Sequence, residues 1–172
     1  MAPKPAGGAA RQISSSVIDP RFSGGAAWGE GFDIADPGPA PGGIEGPMNR
    51  LVRIDLQSGT TTPWYSWFGA DVYLAGVDYH GNPFVDVGRS QGNRKELWLI
   101  TAPRAGQRLF LGPFTQPWPF RLAAIDTHGI WFNGGSYQTS AGTIWLYSGG
   151  RIQIVATVNL NDVTVAGGCI DP

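Results

Sequence analysis

Two stretches decide how this chain reads: DVYLAGVDYHGNPFVDV (71–87) and PFRLAAIDTHGIWFNGG (119–135). Laid over each other without a gap, at an offset of 48, they match Leu74 with Leu122, Ala75 with Ala123 and Asp78 with Asp126. His80-Gly81 then falls on His128-Gly129, and Phe84 on Phe132. Further on, ELWLIT (96–101) meets TIWLYS (143–148) with Trp98 over Trp145 at an offset of 47, and RLFLG (108–112) meets RIQIV (151–155) at 43. LVRIDL (51–56) is an earlier copy of the Trp98 segment, and DVTVAG (162–167) starts a further copy of the first. The apolar runs are short, carry β-branched and aromatic side chains as strands do, and stop at turn signals such as Ser58-Gly59, His80-Gly81 and Gly149-Gly150. No window holds an apolar stripe at helical period for three turns.

Strands this short, joined by hairpin-like links, are expected to form antiparallel meanders. The repeat of about 43–48 residues holds four of them, and that combination is the signature of propeller blades. Small pairs in the first strand of each unit (Ala75-Gly76, Ala123-Ala124, Ala166-Gly167) suit a strand crowded near a central axis. The expected fold class is therefore all-β: a partial β-propeller of four-stranded antiparallel blades, incomplete within this chain. Residues 71–113 and 119–157 read as two good blades, and a further one starts at 162. Residues 1–48, with ten glycines and seven prolines, read as a separate Gly/Pro-rich segment holding an irregular partial blade, with 49–172 carrying the repeats. The stretch ADPGPAPGGIEGP (35–47) reads as a long loop. Because a closed propeller needs at least four blades, the chain is expected to self-associate or to join the missing remainder of a ring.

Composition excludes several classes of function. Only 15% of the 172 residues are charged, and twelve basic against thirteen acidic residues leave a net charge of −1. That removes the main electrostatic case for nucleic acid or anionic membrane binding. A single cysteine, Cys169, excludes an internal disulfide framework and a cysteine-rich zinc site. No apolar run reaches membrane-spanning length. The leading MAPKPAGGAARQISSS lacks the apolar stretch of a secretory signal, which leaves the compartment open between the cytoplasm and export. There is no P-loop, dinucleotide fingerprint, HExxH, EF-hand or G-x-S-x-G pattern.

The pattern A-x-x-D-x-x-G-x-x-W-F, best seen in LAAIDTHGIWF (122–132) followed by IWLYSGGRIQIV (144–155), resembles the blades of virginiamycin-B-lyase-like and NHL-type repeat proteins. It also resembles the ligand-sensing propellers of two-component regulators. LAGVDYHGNPF (74–84) is the second copy, and the resemblance covers roughly residues 50–168. It implies a β-propeller but no single chemistry, since such repeats serve lyases, lactonases, sensors and plain binding domains. In the lyases, a histidine and acidic residues around a divalent ion act at the channel face; no residue of this sequence is assigned to that set.

Few residues here suit catalysis. Asp78-x-His80-Gly81 and Asp126-x-His128-Gly129 are first of all turns, the aspartate accepting backbone N–H groups and the glycine supplying positive φ. Their functional reading makes His80 and His128 metal ligands or a general base, with Asp78 and Asp126 beside them. Trp98, Trp131 and Trp145 read as blade-to-blade core. Trp64 and Trp67 in the link TTPWYSWFGAD (61–71), and Trp118 in TQPWPF (115–120), either cap the blades or line an apolar or sugar-stacking surface. Burial discriminates between the two. Arg89, Arg94 and Lys95, flanked by Asp86 and Glu96, read as a solvated turn, or else as an anion site. The expected function is a non-enzymatic binding or structural module, without a cofactor, for a small molecule or carbohydrate. The alternative is a lyase or hydrolase acting on a cyclic ester or sugar-like substrate with a divalent cation.

Overall fold

In a computed structural model of the chain, the residues described are 18–23, 26–31, 50–67, 69–89, 92–136 and 139–159. They form twelve strands. The first sheet comprises β1 (Ile18–Ser23), β2 (Ala26–Gly31), β3 (Arg50–Asp55) and β4 (Thr61–Ser66). The second comprises β5 (Asp71–Val77), β6 (Pro83–Arg89), β7 (Arg94–Ala102) and β8 (Ala105–Pro113). The third comprises β9 (Trp118–Asp126), β10 (Gly129–Ser136), β11 (Thr139–Ser148) and β12 (Arg151–Asn159). Each sheet is an antiparallel meander in chain order. The chain is all-β, and its sheets are blades of a partial propeller: β1 touches β5, β5 touches β9, and apolar side chains fill the space between successive sheets.

The middle sheet is covered on both faces, so β6 reads as a continuous buried run, PFVDVG, rather than an alternating one. One face (Val72, Leu74, Val85, Val87, Ile100) packs against Trp28 and Leu51 of the first sheet and against Trp67. The other (Ala75, Phe84, Leu97) packs against Phe132 and Trp145 of the third. Innermost strands approach closely. A Cβ placed on Gly76 of β5 would lie 2.3 Å from the Cβ of Leu122 in β9. The inner edge of β5 is further tied to the first sheet, where the buried carboxylate of Glu30 in β2 accepts the Leu74 backbone N–H.

Register refines the repeat. In β5 the ladder skips Ala75, and in β9 it skips Ala123, so the two small residues occupy equivalent bulges. Beyond them the gapless alignment slips by one. The β5–β6 connection takes Asp78 to Asn82, whereas Thr127-His128 alone joins β9 to β10. Val85 pairs with Leu74 and Trp98, and Phe132 pairs with Leu122 and Trp145; these are the true equivalents. Phe84 and Phe132 therefore point out of opposite faces and meet edge to face across the blade boundary, ring centroids 5.0 Å apart.

Three local expectations are corrected. The N-terminal blade is not irregular in topology: its four strands follow the order of the others, two of them from the Gly/Pro-rich region and two from beyond Asn49. Residues 61–66 are a strand, not a link; Pro63 fits there because β4 is an edge strand, where a missing N–H breaks no ladder. Lys95 is not in a solvated turn but inside β7, at 3% exposure, beside Glu96 at 4%. The further blade from 162, Cys169 and the 35–47 stretch lie outside the described residues.

Candidate functional site

The two Asp-x-His-Gly segments are turns held by their own aspartates. Asp78 is buried; its Oδ1 accepts the backbone N–H groups of His80 (2.9 Å) and Asn82 (2.8 Å), and its Oδ2 accepts the Asn82 amide (3.0 Å). Asp126 accepts the N–H groups of His128 (2.8 Å) and Gly129 (3.2 Å), with His128 Nδ1 3.3 Å from its second oxygen. The Trp131 indole also bonds to Asp126 and is the leading cause that holds its carboxyl below the usual range. Both imidazoles are exposed. Among the described residues no three His, Cys, Asp or Glu side chains form a group able to hold a metal ion.

Two of the three indoles named as ligand contacts are interior. Trp67 is 3% exposed and belongs to the core between the first two sheets, stacked on Tyr65 at 4.5 Å. Trp118 opens β9 at 4% exposure. Trp145 is buried, its indole donating to Thr143 Oγ1 at 2.9 Å, and Trp98 donates to Glu96 at 2.6 Å. Trp131 belongs to neither core cluster.

Trp118 covers a charge. Lys95 Nζ lies 2.9 and 3.1 Å from the two oxygens of Asp86 and within 5.2–5.8 Å of the ring centres of Trp118, Phe114 and Tyr73. Burial pushes the Asp86 carboxyl up to about 6, against the opposing pull of Lys95 and the Trp118 indole. On the other face of β7, Arg89 Nε bonds to buried Glu96 at 2.8 Å. Both pairs cross-link β6 to β7 within the middle sheet, and Trp118 of the third sheet covers the first of them. Sequence reasoning missed them because the polar run from Gly88 to Glu96 looks solvated, and its cover comes from Trp118 in the next blade.

Trp64 has a different setting. It is half-buried in β4, edge-on to Trp28 at 5.3 Å, with the Arg53 guanidinium 5.6 Å from its ring centre. With Arg50, Pro63, Tyr65, Ser66 and Arg104 it lines a cleft of about 410 Å³. The cleft spans two blades: Arg104 lies in the β7–β8 turn, and its backbone N–H donates to the Trp64 carbonyl at 2.9 Å. Among the described residues its wall holds two arginines, a tryptophan, a tyrosine and a serine, and no acidic residue or histidine. Arg50 and Arg104 did not stand out in the sequence. The available signal was Pro103-Arg104 standing where the next blade has Gly149-Gly150.

No protein-family model and no curated protein matches the chain. Among solved structures it is similar to the crystal structure of a protein from Lactobacillus plantarum, at 16% identity and a TM-score of 0.46. That likeness covers 91% of this chain and 45% of the other, so the chain spans less than half the length of that protein.

Proposed function

We propose that the protein is a non-enzymatic binding module, and that a small carbohydrate-like ligand sits in the cleft against Trp64 and Tyr65. The observation that carries this reading is the cleft wall itself. Aromatic residues with a few polar groups beside them are what a sugar ring needs, and among the described residues the wall holds no acidic residue or histidine. A metal-assisted lyase or hydrolase acting through His80 and His128 has weaker support, because Asp78 and Asp126 already serve their own turns.

Titration of a panel of neutral and acidic oligosaccharides, followed by tryptophan fluorescence, tests the proposal. At least one member should give a saturable change. Trp64→Leu should weaken it about tenfold, the scale of one lost aromatic contact, while the circular dichroism spectrum keeps its strand signature. A panel in which nothing titrates sinks the proposal.

A further inference from the structure

Two described non-glycine residues have a left-handed backbone: Asn93 before β7 (φ 49°), a residue type that tolerates it, and Arg104 in the β7–β8 turn, a type that does not. Arg104 has φ of +60°, in the left-handed region that non-glycine residues avoid. In the third blade the corresponding turn uses Gly149 (φ 58°) and Gly150 (φ 77°), and the β3–β4 connection of the first uses Gly59 (φ 74°). Glycine would be free of this cost in the second blade as well. An arginine kept at such a position points to a use for its side chain. Its place is also fixed, because the Arg104 N–H is bonded to the carbonyl of Trp64 across the blade boundary. Arg104 thus lines the same cleft as Trp64 and Tyr65, and among the described residues none of the lining is acidic.

We infer that this cleft is an anion subsite for a carboxylated saccharide, in which Arg104 takes the carboxylate while the sugar ring lies against Trp64. The inference rests on the binding reading above and adds the ligand class. Guanidinium is the group of choice for planar, two-point recognition of a carboxylate, and a sugar acid presents that group beside a ring face that an indole can cover. Ser66, also in the wall, carries a hydroxyl able to meet the sugar's own hydroxyls.

The test uses oligogalacturonate and the neutral galacto-oligosaccharide of the same length as probes, with Arg104→Gly as the variant. That substitution removes the guanidinium and relieves the positive φ, so the melting temperature should hold or rise. A loss of binding is then not a loss of fold. The acidic probe should bind about tenfold more tightly than the neutral one, the scale of one charge-assisted contact. That preference should disappear in Arg104→Gly and shrink between about 0.05 and about 0.5 M salt as screening sets in. Equal affinities for the two probes, or a preference that survives in Arg104→Gly, overturn the anion subsite and leave the binding module standing. Failure of both probes, together with the rest of the oligosaccharide panel, removes the binding module and the subsite with it.

Discussion

Asp86 is a carboxylate that the middle sheet carries indoors. In a half-solvated strand the alternation Val85-Asp86-Val87 would put it in water, but here both faces of β6 are covered. Lys95, one strand over, answers with its ammonium, and three aromatic rings close round the pair. Desolvation and ion pairing pull in opposite directions, and desolvation wins: the carboxyl stands at about 6 instead of 3.8. Between those values the folded chain holds a proton that the unfolded chain has released. The stabilising contribution of this group is therefore present near pH 4 and fades as pH rises through about 6, by an amount of order 3 kcal/mol. Asp86→Asn keeps the shape and does not titrate. Urea unfolding of both proteins across that range should show the wild type losing ground to the variant as pH rises. A gap that moves the other way would mean that Lys95 outweighs burial. The aspartates of the two His turns were legible because an Asx turn is local: residue, acceptor and glycine all lie within a few positions. The Asp86–Lys95 pair was not, because its burial is supplied by Trp118 from another blade.

The elements were legible where local chemistry decides them. Short β-branched and aromatic runs ended by turn signals marked all eight strands of the second and third sheets, though β8 starts three residues before Arg108 and β11 four before Thr143. The strand β4 was hidden by Pro63, which local reasoning treats as a breaker and which only its edge position permits. The one-residue slip between β6 and β10 was hidden as well, because two hairpins of different length share the same Asp-x-His-Gly letters. Of the small residues expected to mark crowding in the first strand, Gly76 shows the close approach and what it costs. Any side chain there meets the Leu122 Cβ, an atom that cannot rotate away. Gly76→Ala should force β5 and β9 apart and lower stability by about 1–3 kcal/mol, the range for overpacked cores. Leu122→Ala should not restore it, since the offending atom remains, whereas Leu122→Gly should recover part of the loss. Thermal unfolding of the single and double variants checks the order. Rescue by Leu122→Ala would place the strain elsewhere.

At the scale of the molecule, each described blade needs the next. Phe84 and Leu97 of the second sheet are fully buried because the third sheet lies on them. Their equivalents by register in the third sheet are Trp131 and Ile144, with Leu146 matching Leu99. These three face away from the second sheet: their strand neighbours Ile130, Phe132, Trp145 and Tyr147 pack inward, and pairing of Trp131 with Leu146 puts both on the far side. All three remain partly exposed. A row of apolar residues at positions that a following blade covers elsewhere in the same chain is a surface built for another sheet, and a second copy of this chain can supply one. The isolated protein should therefore sediment as a concentration-dependent mixture with a dimer or larger species. Leu146→Lys, which puts a charge at the centre of that row without touching the inner core, should shift it to monomer with the melting profile of the dilute wild type. A strictly monomeric wild type at every concentration would show that this face is satisfied within one chain, and the variant would then change nothing.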